Sequence, residues 1–312
     1  MNLHPRTMSV RASGTASSAS TASSAQSAQE ADSRVLDRSI GDFLRELRSL
    51  SDEQVERILV HQHSKGIRFG EAAVDLKLAS SEDVLWALSQ QFHYPYASNE
   101  GAQFDPELVT AIDPFGEQAE AFREIRSRLM MDVLAMDQPR RALTVVSPDV
   151  GDGKSFFAAN MAIAFSQFGG RTLLVDADMR TPRQHGLFRV PNGVGLSSIL
   201  AGRSDADVIH HVQDLPSLYV LPVGTVPPNP LELMQRSAFG LLMHELKTKF
   251  DHVIVDTPAA SLGADARVLA SKCGAALVIG RRGKTRMKPI QALLSALDGS
   301  GTRLAGVMLN DY

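Results

Sequence analysis

One cysteine, Cys273, is all that the 312 residues contain. No disulfide framework can form within the chain, which suits a reducing cytoplasm. Cys273 leads into the apolar run Gly274-Ala275-Ala276-Leu277-Val278-Ile279 and is expected as a small buried hydrophobe. No apolar run approaches the roughly 18–20 residues needed to cross a bilayer. The basic N-terminus is not followed by an apolar core, so no secretory signal is expected. A large charge of either sign is also missing. The formal net charge is −3, so bulk charge points neither to nucleic acid nor to an acidic membrane.

The chain is organised around Val145-Val146-Ser147-Pro148-Asp149-Val150-Gly151-Asp152-Gly153-Lys154-Ser155. The apolar run 142–146 predicts a buried strand, and 156–168 predicts a helix. Gly-x-Gly-Lys-Ser at a strand-to-helix turn is a phosphate cradle. Its glycines let successive N–H groups point inward, the helix N-terminus adds positive dipole, and lysine supplies a mobile charge. The Ser155 hydroxyl is then placed to ligate magnesium. Full Walker A spacing puts glycine where this chain has Pro148.

Two further apolar runs end in acids: Arg171-Thr172-Leu173-Leu174-Val175-Asp176-Ala177-Asp178 and Asp251-His252-Val253-Ile254-Val255-Asp256. Alternate strand residues share a face, so Asp176 and Asp178 can both address a site at a strand's C-terminal end. One carboxylate there can hold Mg²⁺ or its waters while another accepts a proton. Asp256 has the Walker B arrangement. Arg180 is placed to meet phosphate oxygens or a subunit interface. Two more strands, 275–280 and 304–309, complete an α/β unit with a parallel sheet and right-handed crossovers. An isolated aspartate here would be read as a helix cap. Three strand-end acids plus Gly-Lys-Ser indicate phosphate-and-metal chemistry.

Upstream, residues 1–33 form a Ser/Ala/Thr-rich tail without the apolar content to fold. Residues 34–98 carry an internal repeat, in which Gly41 and Gln62 recur as Gly70 and Gln91 at the same spacing. Each half has a Ser-headed acidic helix start, so two stacked helical hairpins are expected. Trp86 and the cluster His93-Tyr94-Pro95-Tyr96 are read as core and boundary packing. Residues 99–115, polar with Pro, Gly and Asn, read as a linker. The second folded unit, residues 116–312, opens with a helix over 117–136. On it, Glu120, Arg123 and Arg126 share one face by their spacing. That face is either a solvated salt-bridged surface or a contact with a neighbour's carboxylates.

The second unit resembles the bacterial tyrosine kinases of polysaccharide export, EpsG-like kinases above all, which are related to the MinD/ParA ATPases. The resemblance rests on both Walker elements with Asp176-Ala177-Asp178-Met179-Arg180, on Glu120-x-x-Arg123-x-x-Arg126, and on Arg180-Thr181-Pro182 with His185 and Phe188. Gly195-Leu196-Ser197 and Pro227-Pro228-Asn229-Pro230-Leu231-Glu232-Leu233 extend it. It implies a P-loop NTPase fold, a mainly parallel sheet flanked by helices, preceded by a small all-α domain. It further implies ATP and Mg²⁺ as cofactors, bound by Gly151, Asp152, Gly153, Lys154, Ser155 and Phe156. Metal would be held by Ser155, Asp178 and Asp256, with Asp176 accepting the tyrosine proton and Asn310 contacting adenine. Glu120, Arg123 and Arg126 would form the oligomerisation motif of a homo-oligomer.

The departures are specific. Val150 stands where the family has proline, no lysine of the MinD type precedes the glycines, and the family's C-terminal tyrosine cluster is reduced to Tyr312. Tyr312 is the candidate phosphosite. In split members of the family, the cytoplasmic tail of a membrane polysaccharide co-polymerase of the Wzz type activates the kinase. A cytoplasmic protein held peripherally at the inner membrane through such a partner is the expectation. The first unit resembles the N-terminal domain of type II secretion ATPases, which can bind cyclic di-GMP. Arg68 is the evident contact for that ligand, and a helical docking module is the competing reading. For the whole chain, a MinD/ParA-type ATPase switch and a non-catalytic adaptor compete with the kinase.

Overall fold

The structure, a computed structural model, describes residues 39–91, 104–203 and 207–311. They fall into two compact units divided between residues 94 and 95. The tail, the cluster at 93–96 and Tyr312 lie outside the described residues.

The first unit has four helices: α1 (Ile40–Arg48), α2 (Asp52–Lys65), α3 (Phe69–Asp75) and α4 (Ser81–Gln91). Ser39 with Asp42 and Ser51 with Gln54 form capping boxes that satisfy the first free N–H groups of α1 and α2. Gly66 in the left-handed region stops α2. Helix α1 packs mainly on α4, and α2 on α3. The repeats therefore interleave rather than stacking as separate hairpins. Within the second repeat Gly70 lets α3 lie close on α4, because a Cβ there would come within 2.5 Å of Val84 Cγ1. Arg48 pairs with buried Asp83 at 2.8 Å, joining the first helix to the last. Phe43, Leu44, Ile58, Ala72, Ala73 and Ala87 form the core, with Trp86 edge-on against Phe43 as expected.

The second unit begins earlier than the sequence suggests. Residues 104–115, read as linker, include the short helix α5 (Val109–Ile112). Leu108 is fully buried, and the Thr110 N–H donates to Asn160 Oδ1 at 2.9 Å. Helix α6 covers Glu117–Met131, stopping short of residue 136. Then follow β1 (Ala142–Val146), α7 (Lys154–Phe168), β2 (Thr172–Asp176), α8 (Gln184–Leu187), α9 (Leu196–Leu200), β3 (His210–His211), β4 (Leu218–Leu221), α10 (Pro230–Gln235), α11 (Ser237–Lys249), β5 (His252–Asp256), α12 (Asp265–Cys273), β6 (Gly274–Arg281), α13 (Met287–Asp298) and β7 (Arg303–Asn310).

The strand order is β3-β4-β2-β5-β1-β6-β7. All pairings are parallel except β3 with β4. The central strands are apolar on both faces, as helix-covered parallel strands must be. Leu143, Val145, Leu174 and Ile254 pack with α7 on one side. Leu173, Val175, Val253 and Val255 pack with α11 and α12 on the other. Cys273 is buried as expected, and burial pushes its thiol up to about 11. Strands β1, β2 and β5 are therefore neighbours, and Asp176 pairs in register with Asp256. This register sets two carboxylates side by side at the C-terminal ends of two inner strands.

Candidate active site

The turn between β1 and α7 carries Gly151 at φ 82° and Gly153 at φ 97°, both in the left-handed region that glycine takes without strain. A Cβ on Gly153 would collide with the side-chain amide of Asn310, which donates to Asp152 O at 3.4 Å. Asn310, the last residue of β7, thus packs directly on the turn. The Asp152 carboxylate serves the loop itself. It accepts from the Asp149 N–H at 2.9 Å and from the Thr285 hydroxyl at 2.7 Å, leaving only its backbone as a phosphate contact. Lys154 is buried in the first turn of α7. Phe156 turns its ring into the core against Phe122, so it too offers a ligand only its backbone.

Asp176 is fully buried beneath the turn that follows it. Its Oδ1 accepts from the Asp178 N–H at 3.1 Å, and its Oδ2 from the N–H groups of Arg183 and Gln184 at 3.1 and 3.0 Å. Burial, then the nearby Asp256 charge, raise its pKa well above the ordinary carboxylate range. Asp178 accepts from the Arg180 and Thr181 N–H groups and the Thr181 hydroxyl. Asp256 is pushed up to about 6 by burial, against the opposing pull of the Gln184 amide, Ser155 hydroxyl and Lys154 ammonium. Its Oδ1 is buried without a hydrogen-bond partner. Three acids with one lysine leave an excess of negative charge in a dry place, which a divalent cation would relieve. Among the described residues, no three acidic, His or Cys side chains converge tightly enough to hold a metal alone. Magnesium bound through one or two carboxylates plus phosphate oxygens fits that arrangement.

Several residues went unrecognised in the sequence. Gln184 donates through Nε2 to Asp256 Oδ2 at 2.8 Å and to Ser155 O at 3.1 Å. Thr285 and Lys284, from the loop after β6, sit against the phosphate turn. Lys284 Nζ is 3.5 Å from Val150 O and would be 3.0 Å from a Cβ on Gly151. Arg180 pairs with buried Asp265 at 2.9 Å.

Glu120, Arg123 and Arg126 are divided. Glu120 is exposed and pairs at 2.5 Å with Arg123, which is partly buried and also donates to Pro114 O. Arg126 is buried, donates to Ala164 O at 2.6 Å and lies over the Phe168 ring. Its role within the subunit is to seat α6 on α7, a correction to the shared open face expected from spacing. In the first unit, Arg68 is exposed, and its N–H caps α3 through Glu71 Oε2 at 2.9 Å. A cavity of about 640 Å³ lies at the other end of the sheet beside Arg140, Phe165 and His252 and contains none of the site residues.

A parallel sheet with a phosphate turn after β1 and acids closing β2 and β5 defines a P-loop nucleotide-binding domain. The CobQ/CobB/MinD/ParA nucleotide binding domain family matches residues 143–312. The tyrosine-protein kinase CpsD of Streptococcus agalactiae is 30% identical over 64% of this chain and 87% of its own length. The tyrosine-protein kinase YwqD of Bacillus subtilis is 31% identical over 68% of this chain and 89% of its own. The kinase domain of the Escherichia coli tyrosine kinase ETK superposes with a TM-score of 0.63 at 30% identity, covering 68% of this chain and 82% of that one. The chain belongs to the bacterial tyrosine-protein kinases, and its activity is protein-tyrosine phosphorylation.

Proposed function

We propose that this kinase transfers the γ-phosphoryl group of Mg·ATP to tyrosine and acts in exopolysaccharide polymerisation, export and chain-length control. The observation that carries the reading is the meeting of Lys154, Ser155, Asp178 and Asp256 beside the glycine turn. Backbone N–H groups from Gly151 to Phe156 cradle the β- and γ-phosphates while Lys154 neutralises their charge. Asn310, against the turn, is the adenine contact. Magnesium, held by Ser155, Asp178 and Asp256, supplies charge neutralisation for the transferring group.

A tyrosine phenol has an unperturbed pKa near 10, so its attack at neutral pH needs a base. Asp176 is that base. Its raised pKa makes it a better proton acceptor than an ordinary carboxylate. Its burial under residues 178–184 requires that turn to open for the hydroxyl to approach. Tyr312 of a neighbouring subunit, or a tyrosine on another protein, receives the phosphate. Glu120 and Arg123 contribute to the oligomer contact, with Arg126 supporting their helix.

No helix among the described residues is long and apolar enough to cross a membrane. Activation by the cytoplasmic tail of a Wzz-like co-polymerase, at the inner membrane face, accounts for the function without one. In this reading the first domain, residues 34–98, is a type II secretion ATPase-like module, and the kinase domain takes in residues 104–115 together with 116–312. Arg68, exposed at the start of α3, is its candidate contact for cyclic di-GMP. Calorimetric titration of that nucleotide tests the module, and absence of heat at high micromolar ligand leaves it a docking unit.

The deciding experiment supplies Mg·ATP and a co-polymerase tail to the purified chain. Phosphotyrosine that disappears in Lys154→Met supports the proposal. Phosphate release without phosphotyrosine favours an ATPase switch, and no turnover under any condition favours an adaptor.

A further inference from the structure

We infer that Gln184 is a positioning residue of this site, holding Asp256 and the Ser155 turn in register and offering its own Oε1 to the water shell of the bound cation. The inference rests on the metal-nucleotide reading above and names a residue that reading does not use. Gln184 reaches its place because Asp176 collects the N–H groups of Arg183 and Gln184. That folds the chain back over the end of β2 and sends the Gln184 side chain between β5 and the start of α7. The side chain is fully buried.

Its amide geometry leaves little freedom. Both Nε2 hydrogens are used, one on Asp256 Oδ2 at 2.8 Å and one on Ser155 O at 3.1 Å. Flipping the amide would set Oε1 against a carboxylate and a carbonyl, three acceptors with no donor. Oε1 is therefore fixed as an acceptor, and it is buried with no protein partner. Asp256 Oδ1, on the carboxylate that Gln184 holds, is orphaned in the same way. Two buried acceptors on adjoining groups suit a species that brings hydrogens and positive charge together. A water polarised by a divalent cation does both. The amide thus links the three chain segments whose spacing decides whether such a cation fits: the ends of β2 and β5 and the start of α7.

The test compares ADP affinity by calorimetry in excess Mg²⁺ and in EDTA, on the full chain. Gln184→Met keeps the volume and removes both donor and acceptor; Gln184→Glu keeps the acceptor. The Mg²⁺-dependent gain in affinity is expected to fall roughly tenfold in Q184M, as for other residues that orient metal ligands. In Q184E, which sets an oxygen against Asp256 Oδ2 and Ser155 O in place of the two donors, the gain is expected to fall as well. An unchanged gain in Q184M, whether its affinity falls equally in both conditions or in neither, overturns the inference and returns Gln184 to packing. If Q184M does not fold, Q184E decides: a gain lost supports the assignment, and a gain kept or raised overturns it. Failure of the kinase reading would show separately, as absent phosphotyrosine from the unmodified chain, without altering the ratio measured here.

Discussion

Thr285 donates its hydroxyl to Asp152 Oδ1 at 2.7 Å across a separation of 133 residues. The same hydroxyl oxygen accepts from the Arg281 N–H at 2.6 Å. Asp152 in turn holds the Asp149 N–H, so the loop after β6 is latched to the phosphate turn through one carboxylate. Replacing Thr285 by Val keeps the shape and removes the donor, leaving a buried carboxylate oxygen unpaired. Weakening of Mg·ATP binding by roughly tenfold is expected, since such a loss costs about 1–3 kcal/mol. KM for ATP should rise while kcat changes little, which steady-state phosphorylation assays at varied ATP will check.

Lys284 occupies the outer side of the same turn, 3.5 Å from Val150 O. It supplies a cation from within the chain to a turn that lacks the MinD-type lysine. Lys284→Met should raise KM for ATP by about three- to tenfold, as expected for losing a partly exposed charge-assisted contact. The defect should shrink as salt increases, because the lysine is exposed and screening acts on it directly. A salt-independent defect would count against a charge role.

Without a bound cation, Asp256 makes folding sensitive to pH. Its folded pKa of about 6 lies above the ordinary 3.8, so the unfolded chain ionises this group first. Folded stability is therefore lost as pH rises from about 4 through 6, and the full cost persists above that. Asp256→Asn removes the cost. In EDTA at pH 8 the variant should unfold at a higher temperature than the unmodified chain, by an amount on the order of 1–3 kcal/mol, and the gap should close near pH 4.5. With Mg²⁺ and ADP the order should reverse, because only the carboxylate gains a cation. Calorimetric melting over pH, with and without Mg·ADP, measures both arms.

Arg123 and Arg126 should behave differently despite their shared motif. Arg126 seats α6 on Ala164 O from a buried position, so Arg126→Ala should lower stability by about 1–3 kcal/mol in denaturant titration. Glu120 is exposed, and Arg123, partly buried, donates to Pro114 O as well as pairing with Glu120. Reversing the charge of Arg123 should lower stability by about 0.5–1.5 kcal/mol through the lost carbonyl contact and reduce oligomer mass in light scattering. Unchanged mass would return Glu120 and Arg123 to a solvated pair.

The central sheet was legible because its strands are aliphatic runs closed by acids. Asp176 and Asp256 signal the site from the sequence, and the Gly151–Ser155 turn centres it. What escaped has no local pattern. His210–His211 and Leu218–Leu221 are too short for a period to show. Residues 104–115 carry linker composition, yet Leu108 fills a core position and Thr110 bonds to Asn160. Gln184, Lys284 and Thr285 act only through partners far away in the chain. Arg126 shows the limit of spacing arguments. Three-residue intervals put side chains on one stripe of a helix, but only packing decides where that stripe leaves the surface.

The strand order carries a consequence for synthesis on the ribosome. Strand β5 pairs with β1 on one side and β2 on the other, although about a hundred residues are translated between β1 and β5. Until β5 emerges, the glycine turn and Asp176 belong to strands with no shared neighbour. A nascent kinase is thus unable to hold nucleotide through most of its translation. Its closing steps depend on distant pairings, which form slowly and leave apolar strand edges uncovered meanwhile.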